Sequence, residues 1–445
     1  MSIRPLAGAL VAAALLSAAE GRALTILTVG KQATFRADDA RVRIGRDPRL
    51  LPLAAPTCGG DEMRVQLAAY PVATERLVAQ DEVVLPCDRW RKAGKGFVYE
   101  DATGAAGGVI KVAYSAKRVV ITFGGPAYVP PPGPVGYVEL WLHAGDTRFL
   151  ARFHTFTRNS AAEIVTRKVS KLAAEGEAIF WDVMHADDKS EAHMQQGLTT
   201  LTKAAKKNRK DGRSPFLLGM LHLYRYGLFF DDAGQPTDAS RDEILAANDA
   251  FAASGPLLWD GTNGDSRVPG FIAAAKFAEG FAFGDDALMN AGIADVQAAV
   301  DVNAFFNVFD LIPIIQALPA SDPRWQDAFA DVTSYLENPE TLACLGDQPE
   351  ICANEGLAPH NTGGSLVLFG DVYAKAGNLA QATTWYTLAQ AVGGTPDAPW
   401  PFQAIADERV LDVEDRVARY LDTDPDNDDP VIGIQEENCA TCHNR

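Results

Sequence analysis

Positive charge is scarce in this 445-residue chain. Lysine and arginine number 40 against 58 aspartates and glutamates, leaving a net charge of -18 at pH 7. So acidic a chain repels the phosphates of nucleic acid, and nucleic acid is excluded as an expected partner. The one basic stretch, Lys203 to Arg213, lies between helical patterns and is expected to be a solvated helix end. Beyond the first residues there is no run of about eighteen apolar residues, so no membrane span is expected in the mature chain. Also missing are a Gly-x-Ser-x-Gly nucleophile elbow, a phosphate-binding loop, a zinc-protease motif and a dinucleotide fingerprint. The common hydrolase and nucleotide-dependent classes therefore lose their usual signatures.

What is present begins at the N-terminus. Arg4 precedes a largely apolar run from Leu6 to Ala19, and the small residues Ser17 and Ala19, or Gly21 and Ala23, offer cleavage positions. Residues 1–23 are expected to be a signal peptide, which makes the mature protein periplasmic, extracellular or cell-surface. Apolar residues make up 47% of the chain and charged residues 22%, the balance of a soluble globular protein with room for two or three domains. Six cysteines fall into three pairs. Cys58 with Cys87 and Cys344 with Cys352 are expected disulfides of an exported protein. Cys439 and Cys442 differ from these because His443 follows directly.

The expected fold class is multidomain α+β. Over residues 24–157, short β-branched or aromatic runs such as Val109 to Tyr114, Arg118 to Phe123, Tyr137 to Leu142 and Arg148 to Phe153 alternate with turn residues. That pattern predicts an antiparallel β-sandwich. The stretch Leu85-Pro86-Cys87-Asp88-Arg89-Trp90, followed by Gly94-Lys95-Gly96-Phe97-Val98-Tyr99-Glu100-Asp101, resembles a β-sandwich module that recurs in secreted proteins of predatory and soil bacteria. The resemblance implies no chemistry.

Over residues 158–421 the period changes to helical, as in Val268 to Phe283 and Ile293 to Ile315. In Leu366 to Tyr373, Gly370 lies three residues before Tyr373. Ala382, Tyr386 and Ala389 then follow at the spacing of a second packed helix, with Pro396 beyond. This window resembles a tetratricopeptide repeat, in which small residues let two antiparallel helices approach and aromatics fill the gap. Leu218-Gly219 with Ala247, Phe251 and Ser254 echoes it. The resemblance implies a helical repeat domain that offers a surface to a protein partner.

Residues 422–445 read as an acidic linker and tail. Asp422, Asp424, Asp426 and Asp428 alternate as in calcium loops, so calcium is a candidate ligand, although the Gly and closing Glu of an EF-hand are missing. The tail carries Cys439-Ala440-Thr441-Cys442-His443. Two thiols two residues apart can form thioethers with the vinyl groups of a porphyrin, and the adjacent imidazole can bind the iron. A thioredoxin-type pair would need a strand before it and a long helix after it, and a zinc site would need a distant fourth ligand. The segment resembles the attachment motif of c-type cytochromes and implies one covalent haem c, with His443 as proximal ligand. Compact class I cytochromes carry the motif near the N-terminus, and four-helix cytochromes c′ carry it on a long helix, so neither fold is implied. Met184, His185, His193, Met194, Met220 and His222 are candidates for the second axial ligand, with His360 as an outsider. The expected function is single-electron transfer to a redox partner protein. Alternatives are an interaction scaffold with a sensory or structural haem, and a peroxidase-like haem enzyme.

Overall fold

The computed structural model describes residues 24–45, 62–71, 78–79, 82–115, 118–144, 147–184, 190–231, 235–262, 264–338, 362–392, 394–395, 398–399, 403–422 and 431. Strands come first, then helices. The strands are β1 (Leu24–Arg36), β2 (Asp39–Ile44), β3 (Arg64–Pro71), β4 (Val78–Ala79), β5 (Val83–Val84), β6 (Trp90–Ala93), β7 (Gly96–Glu100), β8 (Val109–Ser115), β9 (Arg118–Gly124), β10 (Val135–Ala144), β11 (Thr147–Phe153), β12 (Phe156–Asn159) and β13 (Glu163–Thr166). The strands thus run on to Thr166, past the limit at residue 157 read from the sequence.

Neighbouring strands follow the order β4-β3-β10-β11-β1-β2-β9-β8-β7-β6. Pairing is antiparallel except between β1 and β11, which run parallel. β1 joins two layers. Its first half lies beside β11, and from Gly30 onward it pairs with β2. The strand turns at Gly30 because no side chain fits there. A Cβ would sit 2.2 Å from the Arg152 carbonyl oxygen and 2.8 Å from the Phe153 ring.

Alternation along β3, β10 and β11 fixes what each face buries. Val65, Leu67, Val138, Leu140, Leu142, Phe149 and Ala151 point into a core shared with Val42, Val112 and Ile121 of the other layer. Ala68, Trp141 and Leu150 point the other way, into a second core with Phe180, Trp181, Met184, Met194 and Leu221. This layer is buried on both faces, which is why Tyr137 to Leu142 reads as a nearly continuous apolar run.

The helices are α1 (Lys171–Met184), α2 (Glu191–Lys207), α3 (Arg213–Leu228), α4 (Asp238–Leu258), α5 (Val268–Phe283), α6 (Asp286–Val302), α7 (Ala304–Asn307), α8 (Ile312–Ala317), α9 (Pro323–Leu336), α10 (Thr362–Lys375), α11 (Leu379–Val392) and α12 (Gln403–Leu421). The window Val268 to Phe283 coincides with α5. The window Ile293 to Ile315 does not form one helix. Asn303 leaves helical geometry at φ -149° and ψ 81°, and its side chain caps α7 by accepting from the Phe306 N–H. A 3-10 turn, Val308–Leu311, then leads into α8.

Glycines set the closest helix contacts. A Cβ on Gly370 of α10 would lie 2.3 Å from the Tyr386 ring of α11, and one on Gly219 of α3 would lie 2.8 Å from the Phe251 ring of α4. All four residues lie in the windows singled out from the sequence. Lys206 and Lys207 occupy the last turn of α2, where cations favour the helix dipole.

Candidate functional site

The densest polar cluster lies between the sheet and the helices, and strand register builds half of it. Tyr137 stands opposite Tyr70 and Glu139 stands near it on β10, while Arg152 of β11 stands opposite Glu139. The Tyr70 and Tyr137 rings stack with centroids 3.8 Å apart. Arg152 Nε donates to Glu139 Oε1 at 2.5 Å, and the Tyr70 hydroxyl lies 3.4 Å from Glu139 Oε2. His154 follows on the same face.

The other half comes from the turn before α5. Arg267 makes a two-pronged contact with Asp265, with Nε to Oδ1 at 2.7 Å and Nη2 to Oδ2 at 2.8 Å. Its guanidinium carbon lies 3.3 Å from the centre of the Tyr137 ring, a cation–π contact made in a dry place. His154 Nδ1 is 3.4 Å from both Arg267 Nη2 and Asp265 Oδ2. Asp265 is 3% exposed and Arg267 1%.

Burial by itself would raise the Asp265 carboxyl, but the charge and hydrogen bonds of Arg267, with His154, hold it below the usual carboxylate range. Burial pushes His154 the opposite way from an exposed imidazole, well below its ordinary value. The cations Arg213 and Arg267 add to this, while Asp265 opposes it. His154 is therefore neutral. The cluster is buried and ties the strands β10 and β11 to the turn before α5.

A second buried cluster ties α10, α11 and α12. Asp371 Oδ1 accepts from the Tyr386 hydroxyl at 2.6 Å and from Arg409 Nε at 3.2 Å, with Arg416 Nε also at 3.2 Å. A groove of about 310 Å³ opens between α4, α5 and α6, lined by Gly255, Trp259, Val268, Ile272, Ala299 and Val302 among others.

Among the residues singled out from the sequence, Met184, Met194 and Met220 come together at one core. Met184 and Met194 are 1% and 4% exposed and fill the core beneath the sheet. Met220 packs between that core and the one formed by Phe216, Ile244 and Phe251. His193 Nε2 lies 3.6 Å from Asp182 Oδ2. His222 Nδ1 lies 2.6 Å from Glu243 Oε2, and Arg225 Nε donates to the other oxygen of the same carboxylate at 2.7 Å. The backbone N–H of Asp422 closes the last turn of α12 onto the Ala418 and Arg419 carbonyls.

Cys87 is disulfide-bonded, and its partner lies outside the described residues. Residues 1–23, Cys58, His185, Cys344, Cys352, His360, Asp424, Asp426, Asp428, Cys439, Cys442 and His443 also lie outside them. Among the described residues no group of three or more His, Cys, Asp or Glu side chains is arranged to hold a metal ion, and no helix is long and apolar enough to cross a membrane.

The donor set Cys439, Cys442 and His443 suits covalent haem by its chemistry, two thiols for the porphyrin edge and an imidazole for the iron. Val431 fixes where that tail departs. It is 2% exposed and belongs to the core that holds Val413, Val417 and Tyr386.

Sequence reasoning missed the sheet–helix cluster. Its signal was present: Glu139 and Arg152 interrupt otherwise apolar strands on the face that carries Trp141 and Leu150. No family model matches the chain, and no curated protein or solved structure shows significant similarity to it.

Proposed function

We propose that the protein is an exported mono-haem c-type cytochrome that passes single electrons, with the sheet and helices as its docking scaffold. The segment Cys439-Ala440-Thr441-Cys442-His443 carries this reading. The apolar segment before residue 24 supports it, because haem is attached to thiols outside the cytoplasm. Bound haem supplies a one-electron iron couple. Cys439 and Cys442 would hold the porphyrin through thioether bonds, and His443 would bind the iron. Met184 and Met194 would have to leave a packed core to serve as second ligand, whereas His193 and His222 keep part of their rings at the surface. Calcium titration followed by calorimetry tests whether the alternating carboxylates from Asp422 to Asp428 take a cation.

The test is a visible spectrum of full-length protein matured with a haem-attachment system. Covalently retained haem with sharp reduced bands is the expected result. Replacing Cys442 by Ala leaves one thioether and shifts those bands, and replacing His443 changes the ligation. Apoprotein from a competent host would sink the reading.

A second reading, a protein-binding scaffold of tetratricopeptide-like repeats, draws support from the contacts of Gly370 with Tyr386 and Gly219 with Phe251. Crosslinking in the native envelope separates the two. A partner retained when Cys439 and Cys442 are both Ser supports the scaffold, and a partner lost with the haem supports electron-transfer docking.

A further inference from the structure

Two buried oxygens without a donor, one from Asp310 and one from Asn307, close on Gly270 in the first turn of α5. Asp310 Oδ2 and Asn307 Oδ1 are both sealed from solvent and make no hydrogen bond among the described residues. Both close on Gly270. A Cβ there would lie 2.1 Å from Asp310 Oδ2 and 2.7 Å from Asn307 Oδ1. Rotating the Asn307 amide does not resolve the conflict, because its Nδ2 is already committed to the Ser266 carbonyl at 3.0 Å and the Ala299 carbonyl at 2.6 Å. The walls are apolar, with Val308, Leu311, Ile312 and Ile314 all buried.

Two acceptors in such a place repel each other and lack the partner that buried polar groups require. A hard cation such as calcium would need six or more oxygens, and two converge here. A proton needs only two.

The charged groups of the surrounding helices are engaged elsewhere. On α5, Lys276 binds Asp295 of α6, and Glu279 accepts from Asn248. Ahead of α5, Arg267 is taken by Asp265. On α9, Arg324 binds Asp322 and also Asp286 of α6. Asp301, Asp327 and Asp331 face one another. Lys375 of α10 donates to the Ile315 and Gln316 carbonyls at the end of α8.

We propose that Asp310 is a neutral carboxylic acid donating its proton to Asn307 Oδ1, and that this shared proton is an alkali-sensitive latch on segment 265–270. Burial is the sole cause acting on Asp310, and it raises that carboxyl well above the ordinary range. Segment 265–270 links both halves of the molecule. Asp265 and Arg267 plug into the sheet, while the Ser266 carbonyl is held by Asn307 and the Ser266 hydroxyl by Asn303 Nδ2 at 2.9 Å. When hydroxide removes the proton as water, two bare acceptors remain. Asn307 then turns away, the Ser266 carbonyl loses its donor, and the seat of Arg267 loosens.

The test uses full-length protein. In Asp310→Asn the new amide can donate where the acid did, so its unfolding midpoint should exceed that of wild type by roughly 5 °C at pH 9 and approach it at pH 5. Hydrogen exchange at residues 265–270 should quicken with alkali in wild type and stay level in the variant. Parallel pH profiles, or an equal loss at both pH values, would overturn the proposal. Should the variant fail to fold, infrared spectroscopy of wild type decides. A carboxylic-acid C=O band that persists at pH 7 and disappears reversibly in alkali supports the latch, and absence of any such band at pH 7 refutes it.

Discussion

Asp265 and Asp310 are both buried carboxylates, 3% and 7% exposed, yet their surroundings treat them in opposite ways. At the sheet–helix interface Asp265 meets a guanidinium in a two-pronged contact and stays ionised. Within the helical core Asp310 lies with Asn307 against Gly270, and its Oδ2 has no hydrogen-bond partner among the described residues. Interior charge is tolerated where a counter-charge arrives with matched geometry, and where none arrives the group is held neutral. The two sites therefore oppose each other in pH. Asp265, held low, contributes stability that is present above about pH 4 and is lost as pH falls through its folded value. Asp310, held high, contributes stability that is complete below about pH 4 and is lost as pH rises toward its folded value.

The largest effect should come from breaking the paired site. Arg267→Met leaves Asp265 buried without its cation and removes the guanidinium from the Tyr137 face, a loss of about 3–5 kcal/mol. Urea unfolding at pH 7 measures it. Adding Asp265→Asn should return part of the loss, because the stranded charge is then gone. A cost under about 1 kcal/mol in the single variant would mean that water reaches the pair and that the contrast with Asp310 is overstated.

Next in size is the packing between α10 and α11. Gly370→Leu drives a side chain into the Tyr386 ring, which also donates to Asp371, so both the close approach and the buried hydrogen bond suffer. A cost of about 1–3 kcal/mol is expected, read as a drop in thermal midpoint. Tyr386→Ala in the same chain should rescue part of it. Full additivity of the two changes would show that the helices part without that contact.

These two regions also differ in how far they could be read in advance. Gly370 and Tyr386 could each be singled out because both lie within one helical hairpin, at spacings set by helix geometry, although their contact was not specified. The β-branched and aromatic runs Tyr137 to Leu142 and Arg148 to Phe153 likewise fall within β10 and β11. The sheet–helix cluster was not legible, because Arg267 meets Tyr137 and His154 only through tertiary docking across more than a hundred residues. The break at Asn303 was hidden by the apolar periodicity that continues from Ile293 to Ile315, and a single capping side chain overrides that periodicity. The proposed haem segment is the opposite case. The proposal rests on five consecutive residues, Cys439 to His443, and on no tertiary contact among the described residues.

The smallest effect tests a third arrangement, between the two extremes. Glu243 is partly buried and shared by Arg225 and His222. Burial works to raise its carboxyl, but the hydrogen bonds from His222 and Arg225 outweigh this and hold it low. His222→Gln keeps one donor beside Glu243 and leaves Arg225 in place, so a cost of about 1 kcal/mol or less is expected in urea unfolding. The same variant examines the haem proposal from another side. Glu243 beside Nδ1 leaves Nε2 as the nitrogen that could reach an iron, the arrangement common among metal-binding histidines. If His222 supplies the second axial ligand, the reduced spectrum changes while stability barely moves. If the spectrum stays unchanged, His222 is a member of the α3–α4 ion-pair network alone, and the second ligand is sought at His193 or outside the described residues.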